Sequence, residues 1–214
     1  MIFGTRFFRS APALPPGLEE AVQIRQALPR PDPQTLLGKA SFALVDVDVT
    51  GTSTRTDRVT GFAVAIIEGD GLDMGQLHHF PFDPDDRQAT LEATARFFRQ
   101  IGRLPLVTYN SAFVVAMLDK LLEQQGAPTL AQEKWLDLLW LMPALHGGEL
   151  TEHAGLLDWV RELGLPVIGQ HHALADVYAM AHLFLIALER AEAQGMQTLE
   201  DLERSQSSRR WLRG

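Results

Sequence analysis

The chain of 214 residues contains no cysteine. Disulfides and thiolate metal sites are therefore excluded, and any bound metal must use oxygen or histidine ligands. No apolar run is long enough to span a bilayer, and Met1-Ile-Phe-Gly-Thr-Arg-Phe-Phe-Arg9 lacks a signal-peptide core and cleavage site. The expectation is a cytoplasmic protein with no membrane partner. Basic residues are also scarce: Lys and Arg number 19 against 27 Asp and Glu, for a net charge of −8. A surface that coats long nucleic acid needs the opposite balance. An enzyme that grips a few nucleotides through bound metal does not.

What is present is ordinary for one globular domain, with 46% apolar and 21% charged residues. Residues 1–40 read as an N-terminal arm. Ala11-Pro-Ala-Leu-Pro-Pro-Gly17 cannot form regular structure, because proline lacks the donor and restricts its predecessor. A short helix is expected over Leu18–Leu28, and Phe3, Phe7 and Phe8 are candidates for docking on the main domain or on a second copy. The main domain is expected over 41–195, and 196–214 reads as a C-terminal tail, with Arg209-Arg-Trp-Leu-Arg213 fraying at its end.

The main domain is organised around Ser41-Phe-Ala-Leu-Val-Asp-Val-Asp-Val-Thr-Gly51. Alternation marks a strand, so Asp46 and Asp48 share a face roughly 7 Å apart. Two carboxylates so placed repel unless a proton or a cation relieves them, and a hard divalent ion is the natural partner. Strands are further expected over Val59–Ile67, Gln76–Phe82, Leu104–Tyr109 and Lys134–Asp137. Helices are expected after Asp83-Pro-Asp-Asp86, then over Phe113–Gln125, Leu138–Leu145, Ala154–Leu163 and His172–Glu192. Three antiparallel strands followed by helix–strand–helix–strand–helix predict an α/β fold. Its mixed five-stranded sheet has three antiparallel strands, then two parallel ones, with helices on both faces.

Three short motifs, in order, sharpen this: Asp46-Val-Asp-Val-Thr-Gly51, Asn110-Ser-Ala-Phe-Val114 and His171-His-Ala-Leu-Ala-Asp176. Together they resemble the D-x-E-x-T-G, N-x-x-F-D and H-x-A-x-x-D motifs of the DnaQ-like (DEDDh) 3′–5′ exonucleases, which have the ribonuclease H-like fold. The resemblance covers residues 41–190. It implies a hydrolase of phosphodiester bonds at nucleic-acid 3′ ends. Asp46, Asp48 and Asp176 would be ligands to Mg²⁺ or Mn²⁺, and His171 the general base. It also implies substrate contacts from Thr50, Gly51, Asn110 and Phe113, and a single-stranded 3′ end or short oligonucleotide as partner.

Three positions depart from the family, one of them the glutamate common in its second strand, with Gly61 near that place. The glutamate of the first motif is Asp48, one methylene shorter, which leaves its carboxylate short by roughly 1.5 Å. The aspartate of the second motif is Val114, and Asp119 lies about 140° further round the helix. One held ion is expected rather than two, with low activity. Two other readings stay open: a weakened or inactive module that binds nucleic-acid ends or a partner protein, and a small-nucleotide or short-oligonucleotide phosphodiesterase.

Other groups carry less. His78-His79 lie in a strand and face opposite ways, so they cannot chelate as a pair. His146 and His153 are expected in a surface loop, and Trp135, Trp140 and Trp159 in the core.

Overall fold

The computed structural model describes residues 14–146, 150–151, 153–167, 169 and 172–211, with backbone alone at 209–211. Strands β1 (Ser41–Val49), β2 (Val59–Glu68) and β3 (Gly71–Pro81) form an antiparallel meander. Strands β4 (Leu106–Thr108) and β5 (Trp135–Asp137) extend the sheet in parallel on the other side of β1, in the order β3-β2-β1-β4-β5. This is the expected mixed sheet of a ribonuclease H-like fold. The third strand starts five residues earlier than the sequence predicts, because Gly69-Asp70 closes a tight turn straight into Gly71.

β1 is central, so both of its faces are covered. Phe42 and Leu44 point to one side with Ala63, Ala65 and Ile67 of β2. There they meet α6 (Ala173–Ala193), whose Val177, Met180, Phe184 and Leu188 recur at helical spacing. The rings of Phe42 and Phe184 pack edge-on with centroids 4.8 Å apart. Helices α4 (Leu138–Leu145) and α5 (Leu156–Glu162) complete this layer around the fully buried Trp159. Ala43, Val45 and Val47 point the other way, toward α2 (Arg87–Ile101) and α3 (Ser111–Gln125). As expected, α2 starts at Asp86, whose carboxylate accepts from the amides of Gln88 and Ala89, and ends at Gly102 with φ of 47°.

The flanking segments are built into this body. Helix α1 (Pro16–Ala27) buries Leu18, Ala21 and Val22 with the α2 layer, and Arg25 pairs with Glu133 at 3.0 Å. The segment read as a tail contains α7 (Leu199–Trp211), with Leu199 and Leu202 buried in the same core; of the stretch expected to fray, 209–211 continue this helix and 212–213 lie outside the described residues. A bridge between Leu36 and Thr198 ties the two flanks together. The docking expected of Phe3, Phe7 and Phe8 falls outside the described residues. His146 does not lie in a surface loop: its ring stands edge-on to Trp159, centroids 5.7 Å apart. Among the predicted core tryptophans only Trp159 is fully buried; Trp135 and Trp140 are partly exposed.

Candidate functional site

The alternation that points Phe42 and Leu44 at α6 points Asp46 and Asp48 the same way, at the carboxyl end of β1. The apolar face ends just where the amino end of α6 arrives. The backbone N–H of Ala173, in the first turn of α6, donates to Asp48 Oδ1 at 2.8 Å. That satisfies one of the helix's unpaired donors with a charged acceptor. Asp176 sits in the same first turn.

Asp46 feels both of the other carboxylates. Burial pushes its carboxyl up to about 8 from an ordinary 3.8, and the charges of Asp176 and Asp48 push in the same direction. A hydrogen bond from the Val47 backbone opposes them only in part. The charges of Asp48 and Asp176 thus reach Asp46, while Asp48 itself is engaged by the Ala173 amide and by His79. A proton on Asp46 relieves the repulsion at neutral pH, and so would a cation. The donor set, carboxylate oxygens alone, suits a hard divalent ion.

His79 is the residue that sequence reasoning missed. Asp46 pairs with Ala63 in the ladder, and Ala63 pairs with His79, so His79 lies on the carboxylate face two strands away. Its Nε2 makes a 2.6 Å hydrogen bond with Asp48 Oδ2. The signal was the meander itself, which puts alternate residues of β3 in register with those of β1. His78 indeed faces elsewhere and stacks on Phe80, centroids 5.8 Å apart. Gly61 lies between the strands, opposite Asp48. A Cβ there would stand 2.8 Å from Asp48 Oδ2 and 3.3 Å from His79 Nε2, so the contact needs glycine. His172 occupies the N-cap position of α6 without a capping side-chain hydrogen bond, and its ring centroid lies 4.7 Å from that of His79. His171 lies outside the described residues.

The second motif is held by another residue the sequence did not single out. Asp137, buried at the end of β5, accepts from the amides of Asn110 (2.9 Å), Ser111 (2.8 Å) and Leu139 (3.0 Å). It also accepts from the Ser111 hydroxyl at 2.7 Å. One carboxylate thus fixes the starts of both α3 and α4, and an aspartate between a short strand and an apolar helix is a recognisable cap. It holds Asn110 in the left-handed region at φ 64°. Phe113 is half-buried against the α2–α3 core. Val114 is 2% exposed and packs into that same core with Val45 and Val47. Asp119 caps a different turn, accepting from the amides of Leu130 and Ala131.

Thr50 and Gly51 are engaged by Asp57. The Thr50 hydroxyl donates to Asp57 Oδ1 at 3.1 Å and accepts from the amide of Arg58 at 3.0 Å. A Cβ on Gly51 would meet the Asp57 carboxylate at 2.7 Å. The close approach that this glycine allows is therefore to Asp57.

No protein-family model matches the chain. It is similar to the PolC-type DNA polymerase III of Staphylococcus saprophyticus, at 24% identity over 189 residues, which is 80% of this chain and 13% of the polymerase. Among solved structures it is similar to the zinc-bound form of the exonuclease I–ssDNA complex of E. coli. That match has TM-score 0.58 and 21% identity, over 72% of this chain and 41% of the other. E. coli exonuclease I with a dT13 oligonucleotide matches at TM-score 0.57 and 20% identity, over 73% and 42% of the two chains. The chain thus spans well under half the length of these proteins. The shared architecture is the DnaQ-like exonuclease fold.

Proposed function

We propose that the chain is a 3′–5′ exonuclease-type phosphodiesterase that uses one divalent ion, Mg²⁺ or Mn²⁺, and turns over slowly. The observation that carries this reading is the meeting of β1 and α6: Asp46 and Asp48 share a face at the carboxyl end of the strand, and the first turn of α6, which holds Asp176, bonds to Asp48 through the Ala173 amide. A carboxyl kept protonated chiefly by its burial, with two neighbouring acids adding to the effect, is a group that a cation can bind once the proton leaves. Asp46 and Asp176 are the principal ligands, with Asp48 as the third. When bound, such an ion offsets charge on the phosphoryl oxygens and lowers the pKa of a bound water.

The protein's own groups supply the rest. His171, by its place in the third motif, takes the proton from the attacking water. Asp48 couples the end of β1 to the start of α6 through Ala173, so the ligands from two elements are held in one register. Asn110 and Phe113 are the candidate contacts for the terminal nucleotides. Thr50 and Gly51 support the turn beside them through Asp57. The net charge of −8 favours a single-stranded 3′ end or short oligonucleotide over long duplex.

Low turnover follows from Val114. It lies in the core and offers no ligand to a second ion. Loss of one electrostatic stabiliser of a transition state typically costs about 10²–10³ in rate. The same feature favours a second reading, a weakened module that binds nucleic-acid ends without cutting them.

The test is Mn²⁺-dependent hydrolysis of a 5′-labelled single-stranded oligonucleotide, run beside a nitrophenyl ester of thymidine monophosphate. The expected result is slow shortening from the 3′ end, lost in Asp46→Asn. Turnover of the ester alone would move the reading to a small-nucleotide phosphodiesterase. Binding without turnover favours the second reading, and activity that survives Asp46→Asn overturns the site assignment.

A further inference from the structure

We infer that Asp48, His79 and His172 form a second cation site of mixed nitrogen and oxygen donors, which shares Asp48 with the proposed carboxylate cluster and is suited to Zn²⁺ rather than Mg²⁺. This goes beyond the proposed hydrolysis and does not depend on it. The three residues come from β1, β3 and the start of α6, and their ligand atoms all lie within 4.8 Å of one another. Around a tetrahedral zinc, with bonds of about 2.0–2.2 Å, donors stand roughly 3.4 Å apart. The 2.6 Å contact between Asp48 Oδ2 and His79 Nε2 therefore opens by under about 1 Å. His172, exposed at the helix cap, closes by a little more.

Two features of the surroundings make this more than a histidine beside an acid. First, Asp48 is oriented from behind: the Ala173 amide holds Oδ1 at 2.8 Å and leaves Oδ2 turned toward the imidazoles. Such outer hydrogen bonds to ligating groups fix their direction. The same bond fixes the start of the helix whose cap carries His172. Second, Gly61 clears the space beneath, where any Cβ would crowd both Asp48 Oδ2 and His79 Nε2.

The donor set decides the ion. Imidazole suits Zn²⁺, Cu²⁺ and Ni²⁺, whereas Mg²⁺ demands oxygen ligands. The carboxylate cluster of Asp46 and Asp176 has the opposite preference. Three protein ligands with an exposed third member leave a fourth position open to water or to a phosphate oxygen.

The test uses the full chain, freed of metal with a chelator and then titrated with Co²⁺ as a spectroscopic stand-in and with Zn²⁺ as competitor. The expected result is a visible tetrahedral-type Co²⁺ band, displaced by one equivalent of Zn²⁺. His79→Ala and His172→Ala should each weaken binding by about tenfold or more. Should a variant fail to fold, the unmodified protein still answers. Zn²⁺ must then shift the imidazole nitrogen resonances of His79 and His172 in a long-range ¹H–¹⁵N spectrum. Binding that is unchanged in both histidine variants, or resonances that stay in place, overturns the inference. Asp46→Asn should keep the Co²⁺ band while losing Mn²⁺-dependent hydrolysis. Failure of this site and failure of the proposed function therefore give different results.

Discussion

Asp48 and His79 meet at 2.6 Å across the middle strand of the meander, directly over the backbone of Gly61. That contact exists only while position 61 has no side chain. Gly61→Ala should destabilise the protein by about 1–3 kcal/mol, the usual cost of forcing extra volume into a packed site. Urea denaturation of the variant checks this. An unchanged midpoint would mean that the two side chains swing apart freely.

Asp46 makes stability depend on pH in metal-free protein. Its carboxyl titrates near 8 in the fold against 3.8 ordinarily, so between these values the folded chain keeps a proton that the unfolded chain has lost. The stability from that proton is complete below about 4 and is lost as pH rises through 8. Urea midpoints measured with chelator should fall from pH 5 to pH 8, and the fall should shrink in Asp46→Asn. A variant with the same fall as the parent would show that Asp46 is not the titrating group.

Asp137 should matter more for folding than any single residue of the carboxylate cluster. Its carboxylate accepts four hydrogen bonds at the starts of α3 and α4. Asp137→Ala leaves these donors buried and should cost about 3 kcal/mol or more, since hydrogen bonds to a charged group contribute roughly 1.5–3 kcal/mol each and are not additive. Asp137→Asn keeps part of the acceptor capacity and should cost less. Equal losses in thermal denaturation would contradict that ordering.

Val114→Asp, which restores the family residue, should not restore catalysis. The side chain is 2% exposed and lies among Val45, Val47 and Met117. A carboxylate placed there has no partner, and the cost is expected to be about 3 kcal/mol or more. Combining the change with Asp48→Glu should make matters worse, because a longer side chain displaces the bonds to Ala173 and His79. A stable double variant with faster hydrolysis would refute both statements.

The sheet order, the central strand and the side of it that carries Asp46 and Asp48 were legible because alternation and connection length determine them. The third motif placed Asp176 one turn into a helix, and it lies in the first turn of α6. His79 was not legible, because its position depends on register across two strands, which no local pattern encodes. Asp137 escaped notice because a lone aspartate among leucines carries no periodic signal; only its bonds to Asn110 and Ser111, more than 25 residues away, reveal it. Helix α7 was read as a tail since its sequence is mostly polar. Besides the buried Leu199 and Leu202, it is anchored by Gln206, which accepts from the Asp137 amide and donates to the Trp135 carbonyl.

The bond from Ala173 to Asp48 joins residues 125 positions apart in the chain. Contacts of such separation are slow to form, because the entropy of a long loop is lost before anything is gained. The five strands and α2 to α4 all lie before residue 146, and α6 follows them in the chain. The carboxylate cluster is complete only once that helix has docked, since Asp176 lies in its first turn. Any cation that selects the cluster recognises the finished molecule alone. Its binding energy therefore favours the last assembly step and leaves the earlier ones untouched.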